Sequence, residues 1–169
     1  DDGSVRAILD GRLLGEGGYR CMAFDAQSKR LAIGWGAARL QVWNLKEKRV
    51  ERTINLNADA AGVCFRPDGQ GLAVGTVKNE SELWDLGAGA RTATGTGHAA
   101  APSALAFSPA AKYLLSGDSA GALRLWDAAK GESIRQESVS GESFQQVQFH
   151  PEGKFIAIIG RDVHIWGKK

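Results

Sequence analysis

Four tryptophans and four phenylalanines recur in step along this chain. Trp43, Trp84, Trp126 and Trp166 are separated by 41, 42 and 40 residues, and Phe24, Phe65, Phe107 and Phe149 by 41, 42 and 42. Two independent aromatic series with one period define a structural repeat. A repeating unit of this size buries its apolar face only by stacking on a neighbour, so the period constrains the fold more than any single motif does.

Each unit reads as a set of strands. Two residues before each Phe stand Met22, Val63, Leu105 and Val147, and the residues between are Ala23, Cys64, Ala106 and Gln148, so the large apolar groups share one face. A turn follows each Phe: "DAQS" in the first unit, then "RPDG", "SPAA" and "HPEG". Proline at the second turn position fixes φ, and Asp-Gly tolerates the reversal. A second strand carries Leu31, Leu72, Leu114 and Ile156, and a third carries Val42, Leu83, Leu125 and Ile165 just before each Trp. Beyond the Trp lies a more variable outer strand, plain in "RVERTINL" and "ESIRQESV" and weak in "ARTATGTG". The expected fold class is all-β, with four four-stranded antiparallel sheets.

The sequence around these landmarks resembles the Trp-Asp (WD) repeat β-propellers. The resemblance rests on "LWD" at 83–85 and 125–127, "VWN" at 42–44, "FSP" at 107–109, and "GH" at 97–98, nine residues before Phe107. It covers nearly the whole chain, and implies one propeller domain over residues 1–169 with approximate repeats 1–43, 44–84, 85–126 and 127–166. The family's hydrogen-bonded set of His, Ser or Thr, Asp and Trp is then expected in the third unit as His98, Ser116 and Trp126, with Ala120 standing where the Asp would be. Ala37 and Lys78 fill that position in the first two units, and units one, two and four lack the His, which leaves those blades to apolar packing.

Rings of this family resemble seven or eight blades, and four units are half of an eight-bladed ring. A tryptophan preceding Phe24 by the usual interval falls at about position 1, so "DDGSVRAIL" reads as an outer strand, and the last unit stops just after Trp166 without one. Open faces and strand edges are normally covered. The expected cover is a second copy, closing a two-fold eight-bladed homodimer, or another propeller segment.

Composition excludes several functions. Lys plus Arg number 21 against 19 for Asp plus Glu, so no strong field draws nucleic acid. No apolar run is long enough to span a bilayer as a helix. Cys21 and Cys64 lack the spacing of a zinc or redox site and read as buried free thiols, which points to a reducing compartment and a cytoplasmic location. No cofactor or metal is expected.

The chemical motifs fit hairpins and loops better than sites. "GDSAG" at 117–121 matches a nucleophile elbow around Ser119, but the segment after it is a strand and not the helix an elbow needs. "GEGG" at 15–18 and "GAGA" at 87–90 lack the strand–helix context of a phosphate cradle. His98, His150 and His164 fall in different strand contexts, and "NES" at 79–81 reads as a polar hairpin. No catalytic residue is assigned. Loops joining second to third strands lie on one rim of the ring, where the resemblance implies partner binding. Trp35, Arg39, Lys78, Asn79, Asp118, Arg161 and Asp162 are the candidate contacts there. Trp35 is either an exposed aromatic anchor or a side chain folded over its own hairpin or into the blade junction. The expected function is a non-catalytic scaffold holding a protein or peptide partner; the alternative is a regulatory or sensor segment of a larger signalling enzyme, a kinase or protease.

Overall fold

The computed structural model describes residues 18–167, so the outer strand expected in "DDGSVRAIL" and most of "GEGG" lie outside it. Its first sheet contains β1 (Tyr19–Phe24), β2 (Arg30–Trp35), β3 (Arg39–Asn44) and β4 (Arg49–Asn55). The second contains β5 (Ala60–Phe65), β6 (Gly71–Thr76), β7 (Ser81–Asp85) and β8 (Ala90–Gly95). The third contains β9 (Pro102–Phe107), β10 (Tyr113–Asp118), β11 (Ala122–Asp127) and β12 (Ser133–Ser138). The last contains β13 (Gln146–Phe149), β14 (Phe155–Ile159) and β15 (Val163–Gly167). Every sheet is an antiparallel meander in chain order, four strands in the first three and three in the last. The weakly patterned "ARTATGTG" does form an outer strand, β8, pairing with β7 from Ser81↔Gly95 to Asp85↔Ala90.

The sheets are propeller blades packed in sequence, with β1 against β5, β5 against β9 and β9 against β13. Period-2 alternation divides each blade into a face turned to the previous blade and one turned to the next. Ala32, Leu40 and Val42 of blade 1 thus meet Phe65, Leu72 and Val74 of blade 2. Ala73 and Leu83 of blade 2 meet Phe107, Leu114 and Trp126 of blade 3. Leu115 and Leu123 of blade 3 meet Val147 and Ile158 of blade 4.

The turn after each Phe has one shape. Ser28, Gly69, Ala111 and Gly153 each donate their N–H to the carbonyl three residues back, and all have φ between 53° and 72°. The first unit, without proline, pins its turn through Asp25, whose Oδ1 accepts the Lys29 and Arg30 N–H groups at 2.7 and 3.0 Å. Cys21 and Cys64 pack against the cores of the first and second junctions. Burial pushes these thiols up to about 11 and about 12, which keeps them protonated.

Candidate functional site

The β2–β3, β6–β7, β10–β11 and β14–β15 hairpins share one rim with the loops that enter each following blade. Blade 3 carries the most elaborate polar network there. Strand alternation puts Ser116 and Asp118, two residues apart on β10, on the face that receives the β8–β9 loop, and this loop brings in His98. His98 Nδ1 lies 2.7 Å from Asp118 Oδ2, and His98 Nε2 lies 2.6 Å from Ser116 Oγ. Trp126 Nε1 donates to Ser116 Oγ at 2.7 Å. Asp118 Oδ1 also accepts the Ala120 and Ala122 N–H groups at 2.9 Å each, tying the hairpin.

The protons run one way through this set. Burial, ahead of the opposing pull of Asp118, lowers the His98 imidazole below its ordinary value, so the ring is neutral. Burial alone pushes the Asp118 carboxyl up, but the Ala122 N–H and the His98 bond outweigh it and hold the group ionised, below its ordinary value. The indole therefore donates to Ser116, the hydroxyl donates to His98 Nε2, and Nδ1–H donates to the carboxylate.

The missing acid of this unit is thus not missing. The sequence expectation that Ala120 occupies the Asp position is corrected: Asp118 occupies it, because the shared face of β10 is reached two residues before the turn tip where Ala120 sits. By the same register Trp35 and Thr76, not Ala37 and Lys78, hold the equivalent place in blades 1 and 2. Asp118 is also not a rim contact, since it is 0% exposed.

Trp35 is not an exposed anchor either. It is 3% exposed, and its ring centroid lies 5.1 Å from that of Tyr19 on the neighbouring strand. The other candidates remain accessible on the rim: Arg39, Lys78, Arg161 and Asp162 are exposed, and Asn79 is half-buried, with Nδ2 donating to Ala99 O at 3.1 Å. Sequence reasoning missed two acids in the loops that enter blades 2 and 4. Asp59 Oδ1 accepts the Ala38 N–H at 2.8 Å and its carboxylate pairs with Arg20 at 3.0 Å. Glu142 Oε2 accepts the Arg161 N–H at 2.7 Å, and that bond, followed by the His164 contact, holds its carboxyl below the ordinary value against the effect of burial. Their only sequence signal is position, six residues before Phe65 and seven before Phe149.

Serine, histidine and aspartate in this order are the parts of a nucleophilic relay. Here they do no accessible chemistry, because Ser116 is 0% and His98 6% exposed and the indole N–H occupies the hydroxyl oxygen. Ser119 sits in the β10–β11 turn between two strands, not at a strand-to-helix bend. Among the described residues no three His, Cys, Asp or Glu side chains converge as a metal site, and no helix is long and apolar enough to cross a membrane.

Among the described residues, the most exposed large apolar side chains lie on the two end faces. On blade 4, Val163 and Ile165 are 67% and 62% exposed, whereas their register equivalents Leu40 and Val42 of blade 1 are 0% and 1% exposed. On blade 1, Met22 and Phe24 are 72% and 61% exposed, whereas Phe65 and Phe107 are each 8% exposed.

The WD domain, G-beta repeat family matches residues 89–127, the segment that carries His98, Ser116, Asp118 and Trp126. This chain belongs to the WD-repeat family. Its relatives extend the WD-repeat match beyond that segment. The chain is 33% identical over 141 residues to the transcriptional corepressor LEUNIG_HOMOLOG of Arabidopsis thaliana, covering 81% of this chain and 17% of the relative. It is 28% identical over 137 residues to telomerase protein component 1 of Mus musculus, covering 80% of this chain and 5% of the relative. It is 25% identical over 156 residues to WD repeat-containing protein 82 of Drosophila melanogaster, covering 85% of this chain and 49% of the relative. The WD-repeat chain thus spans from a twentieth to about half of the length of these relatives.

Proposed function

We propose that this chain is a non-catalytic protein-interaction module: a set of WD-repeat blades whose hairpin rim holds a protein or peptide partner and whose two open faces are closed by further propeller blades. One observation carries the reading. Side chains at the positions of Val42 and Phe65 are sealed at the first two internal junctions and half-buried at the third, as Leu125 and Phe149, but are open at the two ends as Ile165 and Phe24. Apolar faces of this kind mark association surfaces. The relative named as a transcriptional corepressor favours an assembly role over a reaction. The closing blades come from a second copy, giving an eight-bladed dimer, or from another propeller segment.

Sedimentation and native mass of the chain at micromolar concentration, alone and mixed with candidate propeller segments, test this function. Assembly to seven or eight blades with a raised melting temperature is the expected outcome. A four-blade monomer that no added blade stabilises counts against the reading. For the rim, charge reversal at Arg39, Lys78 and Arg161 is expected to weaken a proven partner at least tenfold without shifting the melting temperature.

A further inference from the structure

The two ways of closing the blades are separated by the sizes of a few side chains. At each internal junction the second strand of the earlier blade ends its forward face in glycine: Gly34, Gly75 and Gly117. A Cβ at Gly34 falls 2.7 Å from Ala60 Cβ, one at Gly75 collides with the Pro102 carbonyl oxygen, and one at Gly117 falls 2.9 Å from Phe144 Cβ. Real Cβ atoms do not approach so closely, so the glycine is what lets the next inner strand seat. The inner strands obey the same rule. Their forward-facing residues are Cys21 and Ala23 in blade 1, Gly62 and Cys64 in blade 2, and Ala104 and Ala106 in blade 3. A Cβ at Gly62 collides with the Ser103 backbone of blade 3.

Blade 4 breaks the rule at all three positions. Ile159 pairs with Gln146 where Gly34 pairs with Cys21 and Gly117 with Ala104, and Gln148 stands where Ala23, Cys64 and Ala106 stand. In a closed dimer, Ile159 would meet the residue equivalent to Ala60, Pro102 and Phe144, which is Tyr19 of the second copy. The two glutamines would bring four amide N–H donors into a junction where the other blades present none. The receiving face of blade 1, by contrast, is ordinary: Tyr19, Met22 and Phe24 repeat the pattern of Ala60, Val63 and Phe65, with Met22 and Phe24 open.

We propose that the Tyr19, Met22 and Phe24 face seats a WD blade other than these four, one with glycine at the end of its second strand and two small residues on its inner strand, and that Gln146, Gln148 and Ile159 bar the fourth blade of a second copy from that seat. This rests on the proposed interaction function and selects between its two forms of closure.

The probe is a copy of the chain re-patterned to match the proposed occupant, Gln146→Ala/Gln148→Ala/Ile159→Gly, with Gln146→Ala/Gln148→Ala/Ile159→Ala as the version kinder to the strand. Wild type is expected to sediment as a monomer at roughly 10 μM, and the re-patterned chain to associate head to tail with a dissociation constant at least tenfold lower. Adding Phe24→Glu to the re-patterned chain is expected to return it to monomer. Wild type closing as a dimer through Tyr19 and Ile159 overturns the inference while leaving the interaction function standing. Folded re-patterned chains that both stay monomeric, or an association indifferent to Phe24→Glu, overturn it as well.

Discussion

In blade 3 the Trp126 indole gives its N–H to Ser116 on the adjacent strand, whereas in blade 2 Trp84 gives it to Glu82, two residues back on its own strand, at 2.9 Å. Blade 1 follows blade 2, with Trp43 donating to Gln41 at 3.1 Å. The difference follows from what stands beside the indole. Arg124, two before Trp126, can only donate, so the acceptor comes from β10; Val74 and Ile33, the equivalents of Ser116, accept nothing, so it comes from the Trp's own strand. A buried N–H is costly to leave unpaired, and for these three indoles the fold uses either source. The consequences differ in reach. Glu82 goes on to pair with Arg91 of β8 at 2.8 Å and so ties two neighbouring strands, while the blade 3 set ties β11, β10, the hairpin tip and the incoming loop.

Breaking the two networks at their acids has the largest expected effect. Asp118→Ala strands His98 Nδ1–H and the hairpin N–H groups in a sealed site and is expected to cost about 3–4 kcal/mol. Glu82→Ala strands one indole N–H, leaves Arg91 partly in water, and is expected to cost about 2 kcal/mol. Chemical denaturation of both variants checks the order; equal losses would mean that the longer reach of the blade 3 network adds nothing.

Converting one scheme into the other sharpens the same point. Ser116→Val gives blade 3 the neighbour that blade 2 has and is expected to cost about 2 kcal/mol, since both the Trp126 N–H and His98 Nε2 lose their partner. Adding Arg124→Gln supplies an acceptor two residues before the Trp, as Gln41 does, and is expected to return about 1 kcal/mol. The recovery is incomplete because the Arg124 bond to Gly97 O and its stacking on the Trp126 ring are lost. A double-mutant cycle measures it, and an additive cycle removes the idea that the schemes are interchangeable.

Acid separates blade 3 by sign as well as size. His98 resists protonation in the folded state, with its pKa below the ordinary 6.5, so the unfolded chain takes the proton first and stability falls as pH drops through that value. Asp118, also lowered, adds stability above the ordinary 3.8 that is lost as pH falls through its folded value. Both act in the same direction. Melting temperatures between pH 8 and pH 5 are expected to fall less steeply in His98→Gln than in wild type, with His150 and His164 common to both. Parallel slopes would show that His98 is not the titrating group.

The repeat was readable because aromatic spacing survives every change of loop and outer strand: Trp43 to Trp166 and Phe24 to Phe149 placed the blades before any contact was known. The acid of the blade 3 set was misread because spacing alone sent it to the turn tip at Ala120. The alternation of Ser116 and Asp118 on one strand face would have found it. Trp35 stayed open between an anchor and a ring folded over its own hairpin because composition cannot say which side of a hairpin a ring covers; its register opposite Tyr19 decides for the second. Asp59 and Glu142 left no motif, since a carboxylate in an entering loop that receives a backbone N–H from a distant hairpin is defined only once the strands are packed. The glycines at 34, 75 and 117 were legible as a series, yet their meaning needed the approach of the next inner strand.

The smallest effect returns to the turns, where blades 2 and 3 differ by one atom group. Gly69 and Ala111 hold the same place, and both have positive φ, 72° and 56°. Left-handed backbone costs an alanine about 1 kcal/mol that glycine does not incur, while glycine's greater freedom in the unfolded chain takes back roughly half of that. Ala111→Gly is therefore expected to stabilise by about 0.5 kcal/mol, and Gly69→Ala to destabilise by more. At Gly69 a new methyl would also meet the Arg30 guanidinium, which donates to Gly69 O at 2.5 Å, so strain and a displaced hydrogen bond act together. Thermal denaturation of the pair reads both signs. If Ala111→Gly proves neutral or destabilising, backbone strain is not what distinguishes the two turns, and the Ser108 hydroxyl that caps the Tyr113 N–H at 3.0 Å holds the alanine turn without cost.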